Sequence, residues 1–252
     1  MKIGLTEDFF GWYSPILTIS MRSNNNGKAK NQDAVFERLS EIRKLIYEDP
    51  NVENQTLNDK TKELFNDGNP LTLINYRDNN DFYGDLFVEE NEIANIITKI
   101  KSIVSDLNSK DSNKNHKLLI VVDPGKESKY DSIKDDNVIV TTSQQIQGGQ
   151  ADYVIVDRTQ WEDLSYNMVR DFYTMMTRSK NSTIFVKGDY LDNLHITTVS
   201  TDSASFRLTD EEFKKSVDIY KEWKNNLPTY SYDPSQDEST EDNKDDSKKE
   251  NS

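Results

Sequence analysis

A three-layer α/β fold around a mainly parallel sheet is what this sequence predicts, on three observations. Short β-branched and aliphatic runs alternate with segments of helical apolar spacing between residues 15 and about 190. Three of those runs, KLLIVVDP at 117–124, NVIVTT at 137–142 and DYVIVD at 152–157, are almost free of polar residues, as strands buried on both faces must be. No internal repeat is visible that would point to a solenoid instead.

Taken in order, PILTISMRS at 15–23 reads as the first strand, and Val35, Leu39, Ile42 and Ile46 then recur at helical spacing behind a cap-like Asp33. Residues 49–69 are polar and asparagine-rich, with Leu57, Leu64 and Phe65 as their apolar anchors, so they are expected to form a loop or small insertion. PLTLINYR at 70–77 is the next strand, followed by a connection through Tyr83 and Phe87. Ile93, Ile96, Ile97, Ile100, Val104 and Leu107 mark an amphipathic helix, and Glu89, Glu90 and Glu92 suit its positive end.

After the polar loop at 108–116, 117–124 is expected to be a central parallel strand. The runs 137–142 and 152–157 add two more strands, 165–180 is helical in pattern, and STIFVK at 182–187 ends the apolar series. An edge strand and a helix capped by Thr209 or Asp210 fill 191–230 and complete a domain over 1–230.

Residues 231–252 carry eight acids against three lysines and almost nothing apolar. Such a segment cannot bury enough surface to offset its ordering entropy and reads as a disordered acidic tail. The whole chain has a net charge of −14, and the remainder without that tail is still at about −9. Global charge therefore does not favour nucleic acid, although a local groove with a few placed contacts remains open. The chain has no cysteine, which removes disulfides and thiolate metal sites. His116 and His195 are too few and too scattered for a metal cluster and read as surface or strand-end residues. With neither a membrane-length apolar run nor a signal-like core, a cytoplasmic location without membrane contact is expected.

Two loops hold the residues that could carry chemistry. In TTSQQIQGGQADYVIVD, Thr142, Gln144, Gln147, Gly148, Gln150 and Asp152 precede an apolar strand. The pattern resembles a superfamily 1 helicase motif: threonine, any residue, histidine, two residues, glutamine, glycine, any residue, glutamate, then aspartate. This chain has Gln144 where many members have histidine and Gln150 where most have glutamate. Gly148 would let backbone approach a ligand, and hydroxyl and amide groups can bond phosphate or sugar without reading a base.

The second stretch, RDFYTMMTRSKNSTIFV at 170–186, resembles the last motif of the same family and places Arg178 between a helix and what reads as an edge strand. A weaker echo is LTISMRSNN, which contains Arg22, and FVKGD is similar to Schlafen-type ATPases.

The resemblance implies a RecA-like domain of the P-loop NTPase type. Arg178 and Arg22 would then approach the nucleotide phosphates, Gln147, Gly148 and Gln150 would line the nucleotide site, and Thr142 and Gln144 would touch a single-stranded nucleic acid. It implies no metal ligand in this chain. Because ligands of open α/β sheets sit beyond the strands' carboxyl ends, Arg178 is expected on that rim, near the glycine pair.

A motor also needs a phosphate loop of the form G-x-x-x-x-G-K-[ST] and an acidic magnesium site. Gly27-Lys28 and Gly125-Lys126 lack the flanking residues, and the strand ending at Asp123 continues into proline rather than glutamate. The expectation is a second motor domain that supplies an arginine finger and strand contacts to an ATP site shared with an N-terminal RecA-like half. ATP and Mg2+ would bind only in that assembly, and this chain would not hydrolyse ATP alone. The alternative is a non-catalytic RecA-like module that binds a protein or nucleic acid.

Overall fold

In the computed structural model, the described residues are 26–66, 70–78, 80–111, 115–146, 149–159, 164–188, 194–206 and isolated helical positions at 211, 214, 218, 221 and 222. The expected strand at 15–23 with Arg22, the pair Gln147 and Gly148, and the tail at 231–252 lie outside them. The chain divides into two units, Met1–Thr209 and Asp210–Ser252, and the fold below belongs to the first.

Its elements are α1 (Asn26–Glu48), α2 (Asn54–Phe65), β1 (Leu71–Arg77), β2 (Phe82–Val88), α3 (Ile93–Lys110), β3 (Leu118–Val122), β4 (Val138–Thr142), β5 (Ala151–Asp157), α4 (Tyr166–Met176), β6 (Ser179–Val186) and β7 (Ile196–Ser200). The seven strands form one sheet in the order β4-β3-β5-β6-β2-β1-β7. All neighbours are parallel except β1 and β2. The predicted α/β class with a mainly parallel sheet is the class observed, and β3 is buried along its whole length between two parallel partners.

Strand alternation sorts the core into two layers. On one face, Leu119, Val121, Val154, Val156 and Phe185 meet α1, α2 and α4 through Val35, Leu39, Ile42, Phe65, Val169 and Phe172. On the other, Ile120, Ile155 and Ile184 meet the isoleucine stripe of α3. Ahead of α3, Glu89 and Glu92 form a reciprocal capping box around the short 3-10 turn Glu90–Glu92, so acids expected at that helix start satisfy N–H groups of the turn that leads into it.

Four local expectations are corrected. Residues 49–69 contain helix α2, because Leu57, Thr61 and Phe65 recur every four residues and bury one narrow stripe. Thr61 and the polar remainder concealed that period. Helix α1 starts at Asn26 rather than behind Asp33, since its first turns bury Lys28, Asn31 and Gln32, which no apolar pattern reveals. The connection through Tyr83 and Phe87 is strand β2, which is turned back on β1 by Asp78, whose carboxylate accepts from the Asn80 and Asp81 N–H groups. Finally, β6 lies inside the sheet between β5 and β2 rather than at its edge.

Gly84 in β2 has φ +80°, and a Cβ there would lie 2.3 Å from the Ile74 carbonyl oxygen across the hairpin. Only glycine fits that approach.

Packing of α2 can be tested at Phe65, which is fully buried beneath the Arg38 guanidinium. Phe65→Ala is expected to cost about 3 kcal/mol in urea unfolding, as for a core aromatic. A surface loop residue would cost about 0.5 kcal/mol or less.

Candidate functional site

The parallel strands give the sheet two rims. Val122, Thr142, Asp157 and Val186 mark the carboxyl rim, and Leu118, Ala151 and Ser179 mark the amino rim. The loop carrying the first motif runs from one to the other. It leaves β4 at Thr142, whose carbonyl accepts from the Gln145 and Ile146 N–H groups in a helical turn. Ile146 is buried in the α1/α4 layer and draws the chain along the sheet, and Gly149 and Gln150 then stand exposed at the amino rim.

Arg178 occupies that amino rim as well. The Ala151 N–H donates to the Arg178 carbonyl at 3.0 Å, and Ala151 pairs with Ser179 in the ladder. The Arg178 side chain is half-buried; its Nε donates to the Thr174 carbonyl at 3.1 Å and its Nη1 to the Gly149 carbonyl at 3.4 Å. The first bond caps the last turn of α4, and the second holds the guanidinium over the glycine-bearing loop.

The arginine and the glycine loop therefore meet, although at the end of the strands opposite to the one expected. The reason is local: Arg178 immediately precedes β6, and a residue before a parallel strand must lie at its amino end. Thr142 and Gln144 remain at the other rim, on the order of 20 Å away by the rise of β5. Gln144 is exposed there, whereas Thr142 is buried. The structure thus gathers Gln150 and Arg178 and leaves Thr142 and Gln144 apart from them.

Several residues singled out at these rims have partners that the sequence did not reveal. Asp152 is buried; one carboxylate oxygen is 2.9 Å from His116 Nδ1 and the other accepts the Lys117 N–H at 3.0 Å. It ties the start of β5 to the start of β3, which makes His116 a strand-end residue with a structural partner. At the carboxyl rim, Asp123 is buried and accepts from the Thr159 N–H (2.7 Å), the Thr159 hydroxyl (2.9 Å) and Arg158 Nε (3.1 Å). Arg158 also reaches Asp171 on α4 at 3.3 Å. The carboxylate that resembles an acidic magnesium ligand is thus committed to fastening β3 to the exit of β5. Among the described residues no group of three or more His, Asp or Glu side chains could hold a metal ion, and no helix is long and apolar enough to cross a membrane.

No family model matches the chain, and no curated protein does. Among solved structures it is similar to the C-terminal domain of a possible DNA helicase from Lactobacillus plantarum, at 15% identity and a TM-score of 0.31, covering 47% of this chain and 85% of that one. A likeness of that size speaks to neither site nor activity.

The Asp123 bonds have a pH signature. Burial by itself would raise this carboxyl, but the Thr159 N–H and hydroxyl and the Arg158 guanidinium outweigh it and hold it below the usual carboxylate range. A depressed carboxyl stabilises the fold above its unfolded pKa of about 3.9, and that stability is lost as pH falls through the lower folded value. Thr159→Val is expected to cost about 1 kcal/mol at pH 7 and progressively less below about pH 4, as measured by urea unfolding at several pH values.

Proposed function

We propose that this chain is the second RecA-like half of a helicase-type motor and lends Arg178 to a nucleotide held mainly by another domain. The observation that carries the reading is the convergence of two separate motif-like segments. One supplies Gly149 and Gln150, the other Arg178, and they share a backbone bond and a guanidinium contact at one rim. Neither segment has a reason to resemble a nucleotide motif if the rim serves only to close the sheet.

The residues present suit a share of such a site rather than the whole. A guanidinium held at Nε and Nη1 has a fixed plane, which suits a phosphoryl group whose charge grows during transfer. An exposed amide at Gln150 can accept a hydrogen bond from a ribose hydroxyl, though without the charge a glutamate would add. Magnesium would belong to the partner domain, because Asp123 already serves Arg158 and Thr159. ATP bound there would supply the transferable phosphoryl group, while this chain orients the nucleotide and offsets developing charge. Arg22 would add a second cation, and Gln144, exposed on the far rim, would follow the backbone of a single strand, a contact that the buried Thr142 cannot share.

The test is nucleic-acid-stimulated ATP turnover in an assembly that includes a nucleotide-holding half. Arg178→Ala is expected to lower turnover by about 10³-fold, as for arginine fingers generally, while this chain unfolds at its usual urea midpoint. Arg178→Lys should recover little, because an ammonium cannot reproduce the planar fork. Turnover unchanged by either substitution would remove the reading.

A further inference from the structure

Beneath the amino rim lies a polar cluster that the proposed site does not use. Lys28, in the first turn of α1, is fully buried and paired with the fully buried Asp85 of β2. Its ammonium also donates to Thr183 Oγ1 at 2.7 Å. Asn31 completes the pair: its amide nitrogen donates to Asp85 Oδ2 and to the Ile74 carbonyl, both at 2.7 Å, and its oxygen accepts the Ile74 N–H at 2.6 Å. Four elements, α1, β1, β2 and β6, are thereby joined at one point.

The cluster continues to the end of α4. Thr183 Oγ1 lies 2.8 Å from Ser179 Oγ and 3.4 Å from the Met176 carbonyl, which also accepts from Gln32 Nε2 of α1 at 3.4 Å. Met176 is the last residue of α4, and its carbonyl is among those a helix leaves unsatisfied. Thr183, which the Lys28 ammonium holds, and Gln32 of α1 satisfy it, and the ammonium lies near the negative end of that helix. Two residues on stands Arg178, whose N–H is held by the Met175 carbonyl at 3.1 Å, and Ser179 opens β6.

We infer that the buried Lys28–Asp85 pair, acting through Thr183, is a positioning device for Arg178: it fixes the turn between α4 and β6 from which the guanidinium is presented. The inference rests on the role given to Arg178 above. A cation in the first turn of a helix opposes that helix's own dipole, and two buried ions are costly to desolvate. Apolar residues of similar volume would hold α1 against the sheet as well, but they could not grip Thr183, whose hydroxyl reaches the end of α4.

The discriminating variant is Lys28→Met with Asp85→Leu, which removes both charges together and keeps the volume. Paired removal of this kind is often neutral or stabilising, so global stability and local order can separate. The readout is amide hydrogen exchange on the full chain, without nucleotide or partner. The double variant is expected to keep a urea midpoint close to the parent. The Ala151 and Arg178 amides, which close the turn, should lose at least tenfold in protection relative to Val154 and Ile155 within β5. If the double variant does not fold, Thr183→Val cuts the same path with one isosteric change, and the same relative loss is expected. Unchanged relative protection at Ala151 and Arg178 in the variant that folds would overturn the positioning role. This measurement is independent of turnover: loosened amides together with an ATPase indifferent to Arg178→Ala would sink the functional reading and leave the positioning intact.

Discussion

Two opposite charges sealed from water at the start of α1, together with Asn31, join α1, β1, β2 and β6 at a single point. Lys28 and Asp85 are each pushed toward neutrality by burial and drawn back toward charge by the other. Such a pair is a poor source of net stability but a strict source of geometry, because either ion alone would be stranded in the core. The apolar packing of α1 through Val35, Leu39 and Ile42 could tolerate a small slide along the sheet. The ion pair, Asn31 and the Ile74 backbone could not.

From that point the sheet's logic follows. Parallel pairing of β5 with β6 brings residues 151 and 179 side by side, and it therefore brings the loop before one strand against the turn before the other. The meeting of Gly149 and Arg178 at the amino rim is a consequence of where two connections begin. The carboxyl rim is built differently: Asp123, Arg158 and Thr159 satisfy one another there, and Lys129 bridges Asp157 and Glu90. Both rims hold strand ends together, the amino rim through Asp152, His116 and Lys117, but the amino rim also presents an exposed amide and a half-buried guanidinium on fixed backbone.

The antiparallel β1–β2 hairpin shapes both rims. By placing β2 against β6 it moves β6 into the interior of the sheet, so the turn that carries Arg178 has a strand on each side of it. It also carries Asp85 to the face where Lys28 arrives. Gly84, next to that aspartate, accepts a backbone conformation and a close carbonyl that no side chain would allow, so the hairpin's register and the buried charge depend on adjacent residues.

Much of this was legible residue by residue. The apolar runs of β3 and β5 and the isoleucine stripe of α3 state their own burial, because periodicity is a property of neighbours in the chain. The acids ahead of α3 likewise announced its start, whereas the rim of Arg178 was misread, although its place just before a parallel strand decides it. Helix α2 and the first turns of α1 were illegible because their buried positions include polar residues: Thr61, whose hydroxyl donates to the Leu57 carbonyl of its own helix, and Lys28, Asn31 and Gln32, whose partners lie elsewhere in the chain. Only the tertiary structure decided that Lys28 meets Asp85 from 57 residues away, that Arg178 meets Gly149 across 29, and that β6 is interior. Contacts of that separation are set by the order of strands in the sheet, and no local pattern of residues encodes it.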